Sequence, residues 1–136
     1  MMSVTSSETL IRRYYEAWTR NDQDTLSSLL TTNAVNHHLE TGERRDAQIF
    51  ELSTCELWHC GFSEVRLTFL KIVATAEFIS SVWTLDSIHT GEFLKLPATG
   101  KRVHVPGIET ARVENGQIAE IWRIFDQVTL MNQLRG

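Results

Sequence analysis

The chain has 136 residues, 42% of them hydrophobic and 22% charged, with a formal net charge of -4. No apolar run approaches the roughly 20 residues of a membrane span. The near-average composition excludes disorder, and the 13 scattered basic residues offer no basic face to nucleic acid. The length fits one domain, residues 1–136, whose core needs neither disulfide nor metal.

The N-terminus, MMSVTSSETL, lacks the basic region and apolar core of a signal peptide. Ser3 to Ser7 is small and polar and is expected to fray, with Ser6 or Ser7 capping a helix whose first turn holds Glu8. In ETLIRRYYEAWTRND, Leu10, Tyr14, Ala17 and Trp18 fall on one helical stripe, widened by Ile11 and Tyr15. Asn21-Asp22 ends that helix. A short second helix turns Leu26, Leu29 and Leu30 inward, with Asp22 or Asp24 at its start. AVNHHLE reads as extended, followed by a turn at Thr41-Gly42. A third helix is expected from about Arg44 to His59, ending near Gly61. Its CELWHC segment holds Cys55 and Cys60, which read as free thiols of a reduced, cytoplasmic protein. His59 shares a helical face with Cys55, but further ligands at a metal-site spacing are missing, so no metal is expected.

The pattern then changes to strands. EVRLTFLKIVATAEF and FISSVWTLDSIHTGEF are rich in β-branched and aromatic residues. LPATGKR is a connection marked by Pro and Gly. KRVHVPGIETARV is a third strand, in which Pro106-Gly107 suggests a bulge or bend. Glu114-Asn115-Gly116 is a hairpin turn. QIAEIWRIF is the fourth long strand, and a last helix covers about Gln127 to Leu134. Helices, an antiparallel meander and a closing helix make an α+β layout. A strongly bent sheet with the helices in its concave face would form a cone with an apolar interior, a common kind of ligand site.

Strand alternation groups Glu120, Trp122, Ile124 and Asp126 on one face of the last strand, and Ile121, Arg123 and Phe125 on the other. The first face is expected to line the cavity and the second to meet another layer or a subunit. Asp126 stands just before a helix, so it suits an N-cap, which lowers a carboxyl pKa. It equally suits a catalytic base in an apolar pocket, which raises one. His89, in the turn SIHTG, is either a local backbone anchor or a pocket donor to a carbonyl oxygen. His37 and His38 point to opposite faces of an extended segment, so at most one reaches the cavity, and His38 is preferred. His104 is expected to be exposed or at an interface. Arg112 either pairs with Glu120 or Glu114 across the hairpin or holds a substrate oxygen. Tyr14, Tyr15, Trp18, Trp83 and Trp122 serve as core or as walls for a flat aromatic ligand.

Three stretches carry a family resemblance. YYEAWTRNDQDTLSSLLTTNAVNHH, SIHTGEFLKLPATGKRV and RVENGQIAEIWRIFDQVTLMNQL together resemble the SnoaL-like polyketide cyclases of the NTF2-like superfamily, over roughly residues 8 to 134. The third is the most specific. LETGERRDA departs from the family pattern by lacking its proline-glycine phrasing, in a loop that shapes the pocket rim. The resemblance implies an NTF2-like cone or barrel, a deep apolar pocket, and a homodimer or higher homo-oligomer. It implies ring closure by intramolecular aldol condensation, without metal or cofactor, with a pocket Asp as acid/base. That role falls on Asp126, and His89 is the second catalytic candidate. Tyr15, Trp18, His38, Trp83, Arg112 and Trp122 are the expected contacts to an apolar or aromatic, polyketide- or terpenoid-like substrate. An isomerase, or a hydratase or hydrolase acting on an epoxide or lactone, would use the same pocket. So would a non-catalytic binding module.

Overall fold

In a computed structural model that describes residues 3–136, Ser3, rather than Ser6 or Ser7, caps the first helix. Its hydroxyl accepts the Ser6 N–H at 3.1 Å. The segment expected to fray is thus the first turn of α1 (Val4–Thr19). Met1 and Met2, which the single-domain reading over 1–136 includes, lie outside the described residues. Past α1, Asn21 takes a left-handed φ of 54°, and Asp22 caps α2 (Gln23–Leu29) by accepting the Thr25 N–H at 3.2 Å.

The chain continues as β1 (Leu30–His38), β2 (Glu43–Asp46), α3 (Ala47–Gly61), β3 (Phe62–Ala74), β4 (Phe78–His89), β5 (Arg102–Glu114), β6 (Gln117–Phe125) and α4 (Gln127–Arg135). β2 corrects the expected start of the third helix. Glu43 to Asp46 pair antiparallel with β1, and Asp46 then caps α3 through the Ile49 N–H at 3.3 Å.

The six strands form one curled sheet in the order β2-β1-β6-β5-β4-β3, open at β2 and β3. Only the β1–β6 pairing is parallel. Asn115 and Gly116 carry φ values of 51° and 78° at the β5–β6 turn, as a tight two-residue hairpin requires. The expected bulge at Pro106-Gly107 is not there: β4 and β5 stay in register from Phe78↔Arg112 to Ile88↔Arg102. The irregularities lie in β3, between Ser63 and Arg66 and between Phe69 and Lys71, in β6 at Ala119, opposite the Arg112–Val113 step of β5, and in β1 between Leu30 and Val35. Such extra residues bend a strand and deepen its twist.

Gly107 serves a different purpose. It faces Trp83 across the β4–β5 ladder, and a Cβ at position 107 would lie 2.3 Å from the indole. The absent side chain lets Trp83 lie flat across β5, nearly parallel to Phe125 at 6.2 Å between ring centres.

Ile11, Tyr14, Tyr15 and Trp18 of α1, and Ala47, Glu51, Cys55 and Trp58 of α3, are buried. Leu26, Leu30, Ile79, Ile118 and Ile121 fill the aliphatic core. α4 buries Leu130 and Leu134 as it packs on β5. Gly107→Ala is expected to push the indole off β5 and to cost about 1–3 kcal/mol, as overpacking does. Denaturant unfolding with tryptophan emission would report both effects, and unchanged stability would mean that the indole does not depend on that contact.

Candidate functional site

Helices α1 and α3 and the concave sheet face form a cavity of about 130 Å³ that opens to solvent. Trp18, Trp58, Trp83, Leu67, Leu85 and Phe125 supply apolar wall. Tyr15, Asn36 and Arg123 line it as nearly buried polar groups, while His38, Glu40 and Gln127 line it from more exposed positions near the mouth.

Arg123 organises the polar side of the cavity. Its Nη1 and Nη2 donate to Glu51 Oε2 and Oε1 at 3.0 and 2.5 Å. Its Nε donates to Glu109 Oε1 at 2.7 Å. Glu51 reaches the cluster from α3, and Glu109 and Arg123 face each other across the β5–β6 ladder. Both carboxylates have a side-chain exposure of 0%, and Arg123 has 14%. Burial works against the guanidinium charge, but Glu51 and Glu109 outweigh it and hold the Arg123 pKa well above its ordinary value.

The two carboxylates are served unequally. Glu51 Oε1 also accepts from the Tyr14 hydroxyl, and Oε2 from Asn36 Nδ2 at 3.0 Å, so each oxygen receives two donors. Glu109 Oε1 accepts from the Tyr15 hydroxyl as well as Arg123, whereas Glu109 Oε2 is buried with no partner. Burial pushes the Glu109 carboxyl pKa up, against the pull of Arg123 and Tyr15. With both carboxylates ionised, the cluster of two anions and one cation would hold an uncompensated buried charge, which is costly. One proton on Glu109 cancels it. Burial also raises the phenol pKa of Tyr14 and Tyr15 well above the usual value, so both keep their protons.

The residues expected from the sequence divide into two groups. Tyr15, Trp18, His38 and Trp83 do line the cavity. His38 Nδ1 lies 2.9 Å from Thr41 Oγ1, and Nε2 lies 3.3 Å from Glu40. Asp126, His89, Arg112 and Trp122 do not line it, and neither do Glu51 and Glu109, which contact the lining residues Arg123, Asn36 and Tyr15. The expected face of β6 is reversed: Arg123 and Phe125 point into the cavity, and Trp122 points out, stacked on His37 at 4.8 Å. Both faces of this strand carry charge and aromatics, so alternation could not tell inside from outside. Arg112 takes the cross-hairpin reading, with Nε on Glu120 Oε1 at 2.7 Å and Nη1 on Glu114 at 3.2 Å. His104 is exposed and paired with Asp86 at 2.6 Å.

Asp126 caps α4, accepting the Thr129 N–H at 3.0 Å and the Thr129 hydroxyl at 2.6 Å. These two bonds hold its pKa below the ordinary carboxyl value. It borders a groove with Pro106, Ile108 and Ile124 that adjoins the cavity at His38, Glu40, Phe125 and Gln127. His89 is fully buried, and its Nδ1 accepts the Thr99 N–H at 3.2 Å, which pins the loop before β5. Cys55 is buried too: its thiol donates to the Trp18 carbonyl at 3.2 Å, and burial pushes its pKa up to about 12.

Glu51, Glu109 and Asn36 were not singled out from the sequence. A signal existed in each case. Glu51 interrupts the stripe Ala47, Cys55, Trp58 of α3, and Glu109 alternates with Gly107, Ala111 and Val113 on the buried face of β5. A carboxylate placed on an apolar stripe needs a buried partner, and Arg123 is that partner.

Comparison with known proteins adds a family and a fold. The model of the SnoaL-like polyketide cyclases matches residues 8–134. No curated protein matches the chain. IdmH of Streptomyces antibioticus is 28% identical and superposes with a TM-score of 0.84, over 95% of this chain and 98% of its own. AclR of Streptomyces galilaeus superposes at 0.88 with 21% identity, over 98% of this chain and 83% of its own. A SnoaL-like polyketide cyclase of Agrobacterium tumefaciens superposes at 0.74 with 17% identity, over 98% and 99%.

Two measurements check these electrostatic assignments. Asp126→Ala is expected to lower Tm by a few degrees, and Asp126→Asn, itself a good cap, by less; a thermal scan in which Ala and Asn behave alike would remove the capping role. For Glu109, folding raises the pKa of an acid. The stability due to its proton is therefore complete below the ordinary value of 4.5 and is lost as pH rises through the folded value. Denaturant unfolding from pH 4 upward should show this loss in the wild type and not in Glu109→Gln. Parallel curves for the two proteins would contradict a proton held by Glu109.

Proposed function

Because the chain belongs to the SnoaL-like polyketide cyclase family, we propose that it is a cofactor-independent acid/base enzyme that closes a ring in a carbonyl-containing, polyketide- or terpenoid-like small molecule. One observation carries this reading: two carboxylates share Arg123, yet each Glu51 oxygen has two donors while Glu109 keeps one buried oxygen unpartnered, and burial raises its pKa. Two like groups whose environments separate their properties are the mark of an acid/base site. IdmH carries a provisional assignment as a polyketide cyclase and AclR one as a hydroxylase, so the fold does not select the reaction and the site has to.

In this reading Tyr15, which lines the cavity and whose hydroxyl is bonded to Glu109, gives its proton to a substrate carbonyl oxygen and takes one from Glu109 behind it. His38, at the mouth, takes the α-proton, and an enol forms. The enol carbon attacks a second carbonyl of the same molecule, making the new carbon–carbon bond. The protonated carbonyl returns its proton through Tyr15 to Glu109, and the new alkoxide takes the other from His38. Arg123 and Tyr15 position Glu109 and hold its transient carboxylate. The aromatic walls fold the substrate so that the two carbonyl groups meet, which supplies rate through proximity. Trp18 and Trp83 are substrate contacts here. Asp126 keeps its helix cap and His89 its loop.

Enolisation can be tested without the native substrate. The α-protons of 1-tetralone exchange slowly in D₂O, and proton NMR follows the loss. The wild type is expected to speed the exchange. Glu109→Gln should keep the far-UV circular dichroism of the fold and lose about 100-fold or more of the acceleration, the usual worth of a positioned acid or base. Equal rates for the two proteins would sink the assignment of Glu109.

A further inference from the structure

Arg123 and Asn36 both line the cavity, and neither spends its whole hydrogen-bonding capacity on the buried cluster. A guanidinium carries five N–H donors in one rigid plane. Among the described residues three of them find an acceptor: Nε–H on Glu109, and one N–H of each Nη on Glu51. The pairing with Glu51 is end-on, so each Nη keeps one N–H at its side. That of Nη2 lies on the Nε edge of the plane, beside Glu109. That of Nη1 lies on the opposite edge, where no described residue accepts it. Both carboxylates are fully buried, while the Arg123 side chain keeps 14% of its surface open. With two edges covered by carboxylates, the Nη1 edge and the flat faces are what Arg123 turns to the cavity.

Asn36 stands at that edge. Its Nδ2 and Arg123 Nη1 donate to the same atom, Glu51 Oε2, each at 3.0 Å, so the amide and the Nη1 corner are neighbours. The sheet agrees: β1 and β6 run in parallel with His38 opposite Arg123, and Asn36, two residues before His38, shares its face. Asn36 Oδ1 accepts no hydrogen bond from the described residues, and unlike Glu109 Oε2 it is not sealed from water. The cavity wall thus carries a donor and an acceptor side by side. A ketone or ether oxygen would use the N–H alone and leave Oδ1 unpaired. A carboxylate would face Oδ1 and the two anions that already neutralise Arg123. A hydroxyl satisfies both groups, with a lone pair on the Nη1–H and its proton on Oδ1.

We propose that Arg123 Nη1 and Asn36 Oδ1 form a hydroxyl-recognition subsite of the cavity, which selects a ligand with a phenol or enol hydroxyl on the ring system that the aromatic walls hold. This rests on the cavity being the ligand site of the proposed function, and not on the proton relay from Glu109 through Tyr15. Asn36 and Arg123 touch the ligand. Glu51, which takes a donor from each of them on one oxygen, fixes their spacing and is a positioning residue.

The test uses three flat ligands of one ring system, 2-naphthol, 2-methoxynaphthalene and naphthalene, titrated by NMR at neutral pH, where the naphthol keeps its proton. The wild type should bind 2-naphthol at least about tenfold more tightly than either of the others, the scale of a well-made hydrogen bond in a closed site. The methoxy compound keeps the acceptor oxygen and loses the proton that Oδ1 takes. Naphthalene, the smallest of the three, removes steric exclusion as the cause of a preference. Asn36→Leu keeps the bulk of the side chain and should bring the three ligands close to parity. Labelling the wild type with ¹⁵N gives a readout that needs no variant: the Asn36 side-chain amide resonances should move with 2-naphthol and stay put with naphthalene. Equal affinity for 2-naphthol and 2-methoxynaphthalene, an unmoved Asn36 amide, a naphthol preference that survives Asn36→Leu, or a wild type that binds none of the three would overturn the subsite. Exchange of the α-protons of 1-tetralone, which has no hydroxyl, is read separately. A protein that selects 2-naphthol and does not speed that exchange would lose the acid/base reading and keep the subsite, and the converse result would keep the acid/base reading alone.

Discussion

The buried Arg123 guanidinium is the constraint around which the cavity is arranged. Removing one cation from water costs several kcal/mol even after relaxation, and the cost is recovered only with close, well-aligned anions. Here the anions come from separate elements. Glu51 descends from α3, Glu109 stands beside Arg123 in the sheet, and Asn36 arrives from β1. Tyr14 and Tyr15, consecutive on α1, reach one carboxylate each, with their rings edge to face at 5.2 Å. Two helices and three strands must therefore settle together before any one of these groups is satisfied. A hydrophobic replacement of such a cluster is often neutral or stabilising, so the cluster is poorly explained as a stability device. An acid and its positioning groups at the edge of an apolar cavity explain it better.

The surrounding wall follows from the same geometry. Tyr15 cannot reach Glu109 unless its ring passes between Phe69, at 5.8 Å, and Trp83, at 5.5 Å. Trp83 cannot give way toward the sheet unless position 107 is glycine. Phe125 then extends the wall to the mouth, where β6 runs past its last partner on β1: His38 pairs with Arg123, and Ile124 and Phe125 have no neighbour on that side. The mouth is thus the gap left where a short strand stops beside a longer one, with His38 and Glu40 on one side and Gln127 on the other.

Much of this fold was legible in the residues. The amphipathic stripe of α1, the Asn115-Gly116 hairpin and the long antiparallel strands each follow from local rules that tertiary structure did not override. β2 was not legible, because the polar run Glu43 to Asp46 has no strand propensity and pairs only because β1 offers a partner edge. The site was half legible. Aromatic residues on the inner stripe of α1 marked the wall correctly. The polar groups were not legible in the same way, because a carboxylate on an apolar stripe points to a buried partner without saying which residue, far along the chain, supplies it. The reversed face of β6 has another origin: both faces carry charge and aromatics, so alternation does not tell inside from outside, and the burial of Arg123 is what Glu51 and Glu109 make possible.

The contrast between Asp126 and Glu109 shows why residue type and motif position do not locate an acid/base group by themselves. Both are carboxyls near the same strand pair. Asp126 faces the positive end of a helix and receives an N–H and a hydroxyl, so its charge is stabilised and its proton is easily lost. Glu109 is shut away from water, shares its only cation with a better-served rival, and keeps one oxygen without any donor. Burial raises its pKa, against the pull of Arg123 and Tyr15. A general acid has to hold a proton until the substrate asks for it. On that criterion the hydrogen bonds of the helix cap favour its charged form, and the burial of Glu109 favours the form that keeps its proton.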